Sequence, residues 1–192
     1  EAVESALKLA RQYALATGEG SRWKIISRAP SYHGCTLGAL AITSYAPLTD
    51  PFAPMMQAMP KVPAPRAYLD GLDPEDEATG HHYADMLEAK ILEEGPESVL
   101  AFVVEPIGGA STGALVPPKG YMERVQEICR RYGVLLILDE VMTGAGRTGK
   151  FLASEHWGLA PDIAVMSKGF AAGYVPLGAM VAHERLVEAV LD

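Results

Sequence analysis

Three uninterrupted apolar runs limit what this chain can fold into: SVLAFVVE (98–105), VLLILDE (134–140) and DIAVMS (162–167). A strand with one wet face alternates apolar and polar residues, whereas a run without polar members needs cover on both faces. Such runs, with ends about 30 residues apart and helical patterns between them, mark βαβ units. The expected fold is α/β, a mostly parallel sheet with helices on both faces.

Apolar residues at helical spacing predict helices over 1–17 (Ala2, Leu7, Leu9, Ala10) and over 82–95, where Met86, Leu87, Ile91 and Leu92 precede a stop at Gly95. A third helix is expected over 118–133, ending at Gly133. WKIISR (23–28) reads as a strand, SYHGCTLGALAIT turns through Gly34 into a short helix, and GKFLASEHWG is another short helix. Residues 45–80, rich in Pro, Asp and Met without a period, are expected as a long excursion over a site or a subunit interface. Glu1 opens a helical pattern with no capping residue before it, and Asp192 falls inside another, ERLVEAVLD. A helix start needs partners for its first N–H groups, so the chain is expected to be the partial large domain of a longer protein.

With 192 residues, 49% hydrophobic and 21% charged, the chain can bury a sizeable core. Its net charge of −8 argues against nucleic acid or an anionic membrane surface as partner. No apolar run approaches the roughly 20 residues of a membrane span, and no signal peptide is evident. Cys35 and Cys129 make neither a disulfide framework nor a metal set; they read as filler and core, and fit a reducing cytoplasm. His81, His82, His156 and His183 have no partner at metal-ligand spacing and read as surface residues, so no metal is expected.

Each apolar run ends on an ionisable group: Glu105, Asp139 and Lys168. Ligands of open parallel sheets bind beyond the carboxyl ends of the strands, so these three should gather on one rim. A lysine that is desolvated, or repelled by another cation, becomes a nucleophilic amine and condenses with an aldehyde. Pyridoxal phosphate needs such a lysine for its aldehyde and an acid for its ring nitrogen. Glycines and alanines after Lys168 would leave room for ring and substrate. GAGRTGK (144–150) imitates a phosphate-binding loop, but Phe151 stands where that loop needs a Ser or Thr hydroxyl.

EAVESALKLAR, SYHGCTLGALAIT, the long stretch from FVVEPIGGASTG to DEVMTGAGRTGKF, and PDIAVMSKG follow one another in family order. On these pieces the chain resembles the class III pyridoxal-phosphate aminotransferases of the fold type I superfamily. That resemblance implies a Schiff base on Lys168 and proton transfer by its freed amine, with Asp139 on the pyridine nitrogen. It further implies Tyr32 stacked on one ring face, Val141 on the other, His33 supporting the site, and Glu105 near the ring substituents. Ser167 is expected to make a local hydrogen bond, and Arg147 to brace its loop. Glu105 also admits a purely structural reading, as a member of an ion pair, and Tyr32 one as core.

Some family members carry Gln-Gly-Glu after VEPI and Gln after DEV; here stand Gly108, Gly109, Ala110 and Met142. That departure weakens an ornithine or 4-aminobutyrate type of site, whereas SYHG, VEPIGGASTG and LVPPKGY resemble members that use ω-amino acids or amines with pyruvate as acceptor. The same cofactor chemistry also serves aminomutases and racemases, and a non-catalytic homologue is a further alternative. By resemblance, the phosphate-binding loop, a partner-subunit threonine and a C-terminal small domain lie outside this sequence. A homodimer or dimer-based tetramer with a composite active site is implied.

Overall fold

The three apolar runs become strands β3 (Val99–Val104), β4 (Leu135–Asp139) and β5 (Ile163–Met166), and every residue in them is buried. In the computed structural model, which describes residues 1–191, β3 pairs with β4 in parallel, Ala101 facing Leu135 and Val104 facing Leu138. Strand β4 pairs in parallel with β5, Asp139 facing Val165. On the other side β3 meets β1 (Lys24–Ala29), also in parallel, and β1 meets a short edge strand, β2 (Lys61–Pro63). The far edge is β6 (Ala179–Ala182), antiparallel to β5, so the order is β2-β1-β3-β4-β5-β6.

Alternation along the strands sends side chains to two cores. Phe102, Val104, Leu136 and Leu138 pack with Leu87 and Ile91 of α4 (Glu77–Glu94) and with Val125 and Ile128 of α5 (Tyr121–Tyr132). Ala101, Val103, Ile137 and Val165 pack on the opposite face. There they meet Val3 and Leu7 of α1 (Ala2–Ala16), Ile42 of α2 (Leu37–Ile42) and Leu186 of α6 (Glu184–Leu191). Fully burying one such aliphatic side chain contributes about 1.5–3 kcal/mol.

Several element bounds differ from the sequence expectation. Helix α4 begins a turn earlier than residue 82, because the Asp76 side chain accepts a hydrogen bond from the Ala78 N–H at 2.9 Å and caps it. His81 and His82 therefore sit inside α4 rather than at its start. Helix α5 begins at Tyr121, since Gly120 (φ 78°) is left-handed. GKFLASEHWG forms only a 3-10 turn, Ala153–Trp157. The stretch 45–80 is not structureless: it holds α3 (Ala46–Thr49), a 3-10 turn Asp50–Met55, and β2. Neither β2 nor β6 was legible as a strand. Asp192 lies outside the described residues. Among those described, no helix is long and apolar enough to cross a membrane, and no group of three or more His, Cys, Asp or Glu is placed to hold a metal.

Gly80 is where α4 crosses the loop leading into α5, and a Cβ there would overlap the Lys119 carbonyl and press on the Tyr121 N–H. All of these are backbone atoms that cannot swing aside. Gly80→Ala is expected to destabilise by about 1–3 kcal/mol, read by denaturant unfolding; an unchanged midpoint would show that the helices slide apart freely.

Candidate active site at the carboxyl ends of the strands

Strand β4 ends on Asp139, β3 runs directly into Glu105, and β5 is followed by Ser167 and Lys168. All three groups open into one cavity of about 460 Å³, whose lining also includes Tyr32, His33 and Val141. The volume lies in the range of small-ligand pockets. Thus all six residues singled out in the sequence meet at one rim.

Tyr32 and His33 are brought there by a return of the chain after β1. Ser31 and Ser44 exchange backbone hydrogen bonds of 3.1 and 3.0 Å, and the His33 N–H donates to Thr43 Oγ1 at 2.9 Å. This holds the buried His33 ring with Nδ1 2.8 Å from Asp139 Oδ2. A carboxylate only accepts, so Nδ1 carries the hydrogen and a neutral His33 leaves Nε2 bare. Nε2 is buried without a partner. The other Asp139 oxygen, Oδ1, accepts from the Val141 N–H at 3.1 Å. Asp139 is thereby oriented from two sides, and each of its oxygens keeps a further lone pair for a ligand.

Glu105 is also buried. Its Oε1 accepts from the Gly109 N–H at 3.0 Å, while Oε2 has no partner. Burial pushes its carboxyl above the usual carboxylate range and the Asp139 charge adds to the rise, opposed by the Arg28 charge and by that of His33 whenever its ring carries a second proton. Arg28 Nη2 stands 4.0 Å from Oε2, as the ion-pair reading of Glu105 expects, and the same carboxylate lines the cavity.

Lys168 departs from expectation in one respect. It is exposed rather than desolvated, so burial within this chain does not activate its amine. Its backbone is left-handed (φ 44°) and opens a single 3-10 turn, Lys168–Ala171. Such a conformation in a non-glycine residue stores strain of order 1–3 kcal/mol and clusters at functional positions. Ser167 Oγ donates to the Leu177 carbonyl at 2.9 Å, tying the turn to the segment that leads into β6. The Arg147 guanidinium reaches to 3.9 Å from where a Cβ on Gly169 would sit, bringing a second cation beside the lysine turn.

Glu140 was missed from the sequence. Strand alternation turns it away from the cavity that Asp139 faces, and it is wholly buried. Its carboxylate accepts from Thr143 Oγ1, from the Ala153 N–H at 3.0 Å and from the Ser154 N–H at 2.8 Å. It therefore closes the GAGRTG loop back onto β4. No α-helix follows that loop, only the Ala153–Trp157 turn, so the phosphate-loop imitation has no helix N-terminus to offer. All three partners of Glu140 donate, so an amide would set a donor against a donor. Glu140→Gln is expected to cost about 1–3 kcal/mol in thermal or denaturant unfolding; a neutral result would mean the loop is held elsewhere.

Cys129 is buried and Cys35 exposed, both as free thiols. His82, His156 and His183 are exposed; His81 is half-buried, 3.7 Å from Glu77.

Fold and site together define an α/β protein whose cavity is built around an amine and a carboxylate at the ends of adjacent parallel strands. The chain belongs to the class III aminotransferase family, which matches residues 1–191. It is 42% identical over 190 residues to an uncharacterized aminotransferase, YodT, of Bacillus subtilis, covering 99% of this chain and 43% of that protein. Against the hypotaurine/taurine–pyruvate aminotransferase of Paracoccus denitrificans it is 40% identical over 192 residues, 100% of this chain and 41% of the relative. An amine transaminase from an uncultivated Pseudomonas species, solved in its PLP-bound form, superposes with a TM-score of 0.92 at 39% identity, covering 98% of this chain and 42% of that one. The chain thus spans less than half the length of the relatives it matches.

Proposed function

We propose that this chain supplies the cofactor-binding core of a pyridoxal-phosphate-dependent transaminase. The observation that carries the reading is the convergence of Lys168, Asp139 and the His33 that orients it on one cavity at the sheet rim. Taurine–pyruvate and PLP-bound relatives support it.

The residues present fit a pyridine ring that bears an aldehyde. Pyridoxal phosphate, when bound, supplies that aldehyde and a ring that takes up the electrons released at the donor's carbon. The Asp139 carboxylate, held by His33 and the Val141 N–H, keeps the ring nitrogen protonated. Tyr32 and Val141, both half-buried in the lining, offer apolar surface to the ring faces. Glu105 orients neighbours from the wall. Lys168 would hold the cofactor through its aldehyde, and its free amine would carry the proton at the donor's carbon. Two half-reactions follow: an amine or ω-amino acid leaves as a carbonyl product, and a keto acid, pyruvate, leaves as its amino acid. The active site is completed by a second copy of the chain. Two free thiols support a reducing, cytoplasmic setting.

Borohydride reduction of the holoprotein followed by peptide mapping tests the cofactor and its lysine. The expected adduct lies on Lys168; an adduct on another lysine, or none, removes the reading. A donor panel with pyruvate and 2-oxoglutarate tests the acceptor. Alanine formation is expected, and glutamate formation alone would overturn the pyruvate assignment.

A further inference from the structure

Arg28, the next-to-last residue of β1, is 1% exposed, and it does not line the cavity. A charge that deep needs a reason, because an uncompensated buried cation is costly. Its Nη2 donates to the Glu105 backbone carbonyl at 2.6 Å and stands 4.0 Å from Glu105 Oε2. Nε and Nη1 have no partner. Around Glu105 stand Arg28 from β1, His33 from the return after β1, Asp139 from β4, and the Gly109 N–H from its own loop. Tyr121 of α5 faces Arg28 from the other side. Arg28 is the permanent cation in a group that otherwise holds two carboxylates and a titratable imidazole.

We infer that Arg28 is a positioning residue: lodged behind the cavity wall, its guanidinium keeps Glu105 a carboxylate aimed at the site and so sets the charge that the cavity presents. Arg28 places a fixed positive charge beside the Glu105 and Asp139 carboxyls. Without Arg28, Glu105 and Asp139 face each other with no fixed cation, and the cheapest relief is a proton on Glu105. Arg28 thus acts on the site only through Glu105.

The sign of the effect is fixed. A carboxyl whose folded pKa lies above its unfolded value favours the fold fully below the unfolded pKa, and that contribution is lost as pH rises through the folded pKa. Arg28→Met keeps the stem's bulk and removes the charge. The folded pKa of Glu105 should then rise further, carrying the fall in stability to higher pH.

The test is denaturant unfolding of the apoprotein, in its intact form, from pH 4 to 8. Wild type, Arg28→Met and Arg28→Met/Glu105→Gln are compared. The expected result is a midpoint displaced upward in Arg28→Met, with the Glu105-dependent transition gone in the double variant. Superimposable profiles for wild type and Arg28→Met overturn the inference. Should Arg28→Met not accumulate folded, Glu105→Gln is compared with the double variant at pH 7: the double is expected to be the more stable, and equal or lower stability overturns the inference.

Discussion

Lys168→Ala in the intact protein is expected to lower amine transfer by on the order of 10⁴-fold, the upper range for removing a positioned proton carrier. The amine in question lines the cavity together with Asp139, and among the residues around that cavity no second lysine stands in for it. Alanine is the informative replacement. Lys168 sits at φ 44°, and alanine inherits the same strained backbone, so folding stability should stay nearly constant while chemistry collapses. A glycine there would relax the backbone and mix a stability gain with the catalytic loss. The measurement is single-turnover formation of the aminated cofactor, alongside a melting curve. A variant within tenfold of wild type would remove Lys168 from the chemistry.

Asp139→Asn is expected to cost on the order of 10³-fold in the same half-reaction, as for loss of one preorganised electrostatic partner. Shape is conserved, so the loss comes from charge and hydrogen-bond polarity. The Val141 N–H demands an acceptor at Oδ1, which the asparagine carbonyl satisfies. Its NH₂ must then face His33 Nδ1, where Oδ2 now accepts at 2.8 Å. His33 is forced into the other tautomer, and Nε2, which has no partner, gains a hydrogen with nowhere to send it. Both the ring-nitrogen partner and its support are spoiled by one atom's change. Full activity in the asparagine variant would mean the carboxylate is structural.

The three central strands were legible because apolar runs buried on both faces leave no ambiguity of period. The edge strands were not. Lys-Val-Pro in β2 ends in a residue that cannot donate to a ladder, and β6 is only half-buried. Each is held by one neighbour, so neither carries the double-faced pattern. Gathering Glu105, Asp139 and Lys168 on one rim follows from parallel pairing alone. Tyr32 and His33 came by resemblance, since nothing in their spacing reveals the Ser31–Ser44 bridge that places them. Glu140 could have been read: beside an inward Asp139, alternation makes it face the other way, and a carboxylate there needs donors. The signal for Arg28 was a cation near the end of the strand Lys-Ile-Ile-Ser-Arg-Ala, but its partner Glu105 follows another strand and only the fold brings them together.

Asp139 ends β4 and Glu105 directly follows β3, whereas Ala110 and Met142 belong to loops that also line the cavity. Both loop residues are exposed, where substitutions change stability by only about ±0.5 kcal/mol. Substitutions at positions 110 and 142 are therefore expected to reshape the cavity mouth with melting temperature almost constant. A cavity lined this way can change its mouth without risking its framework.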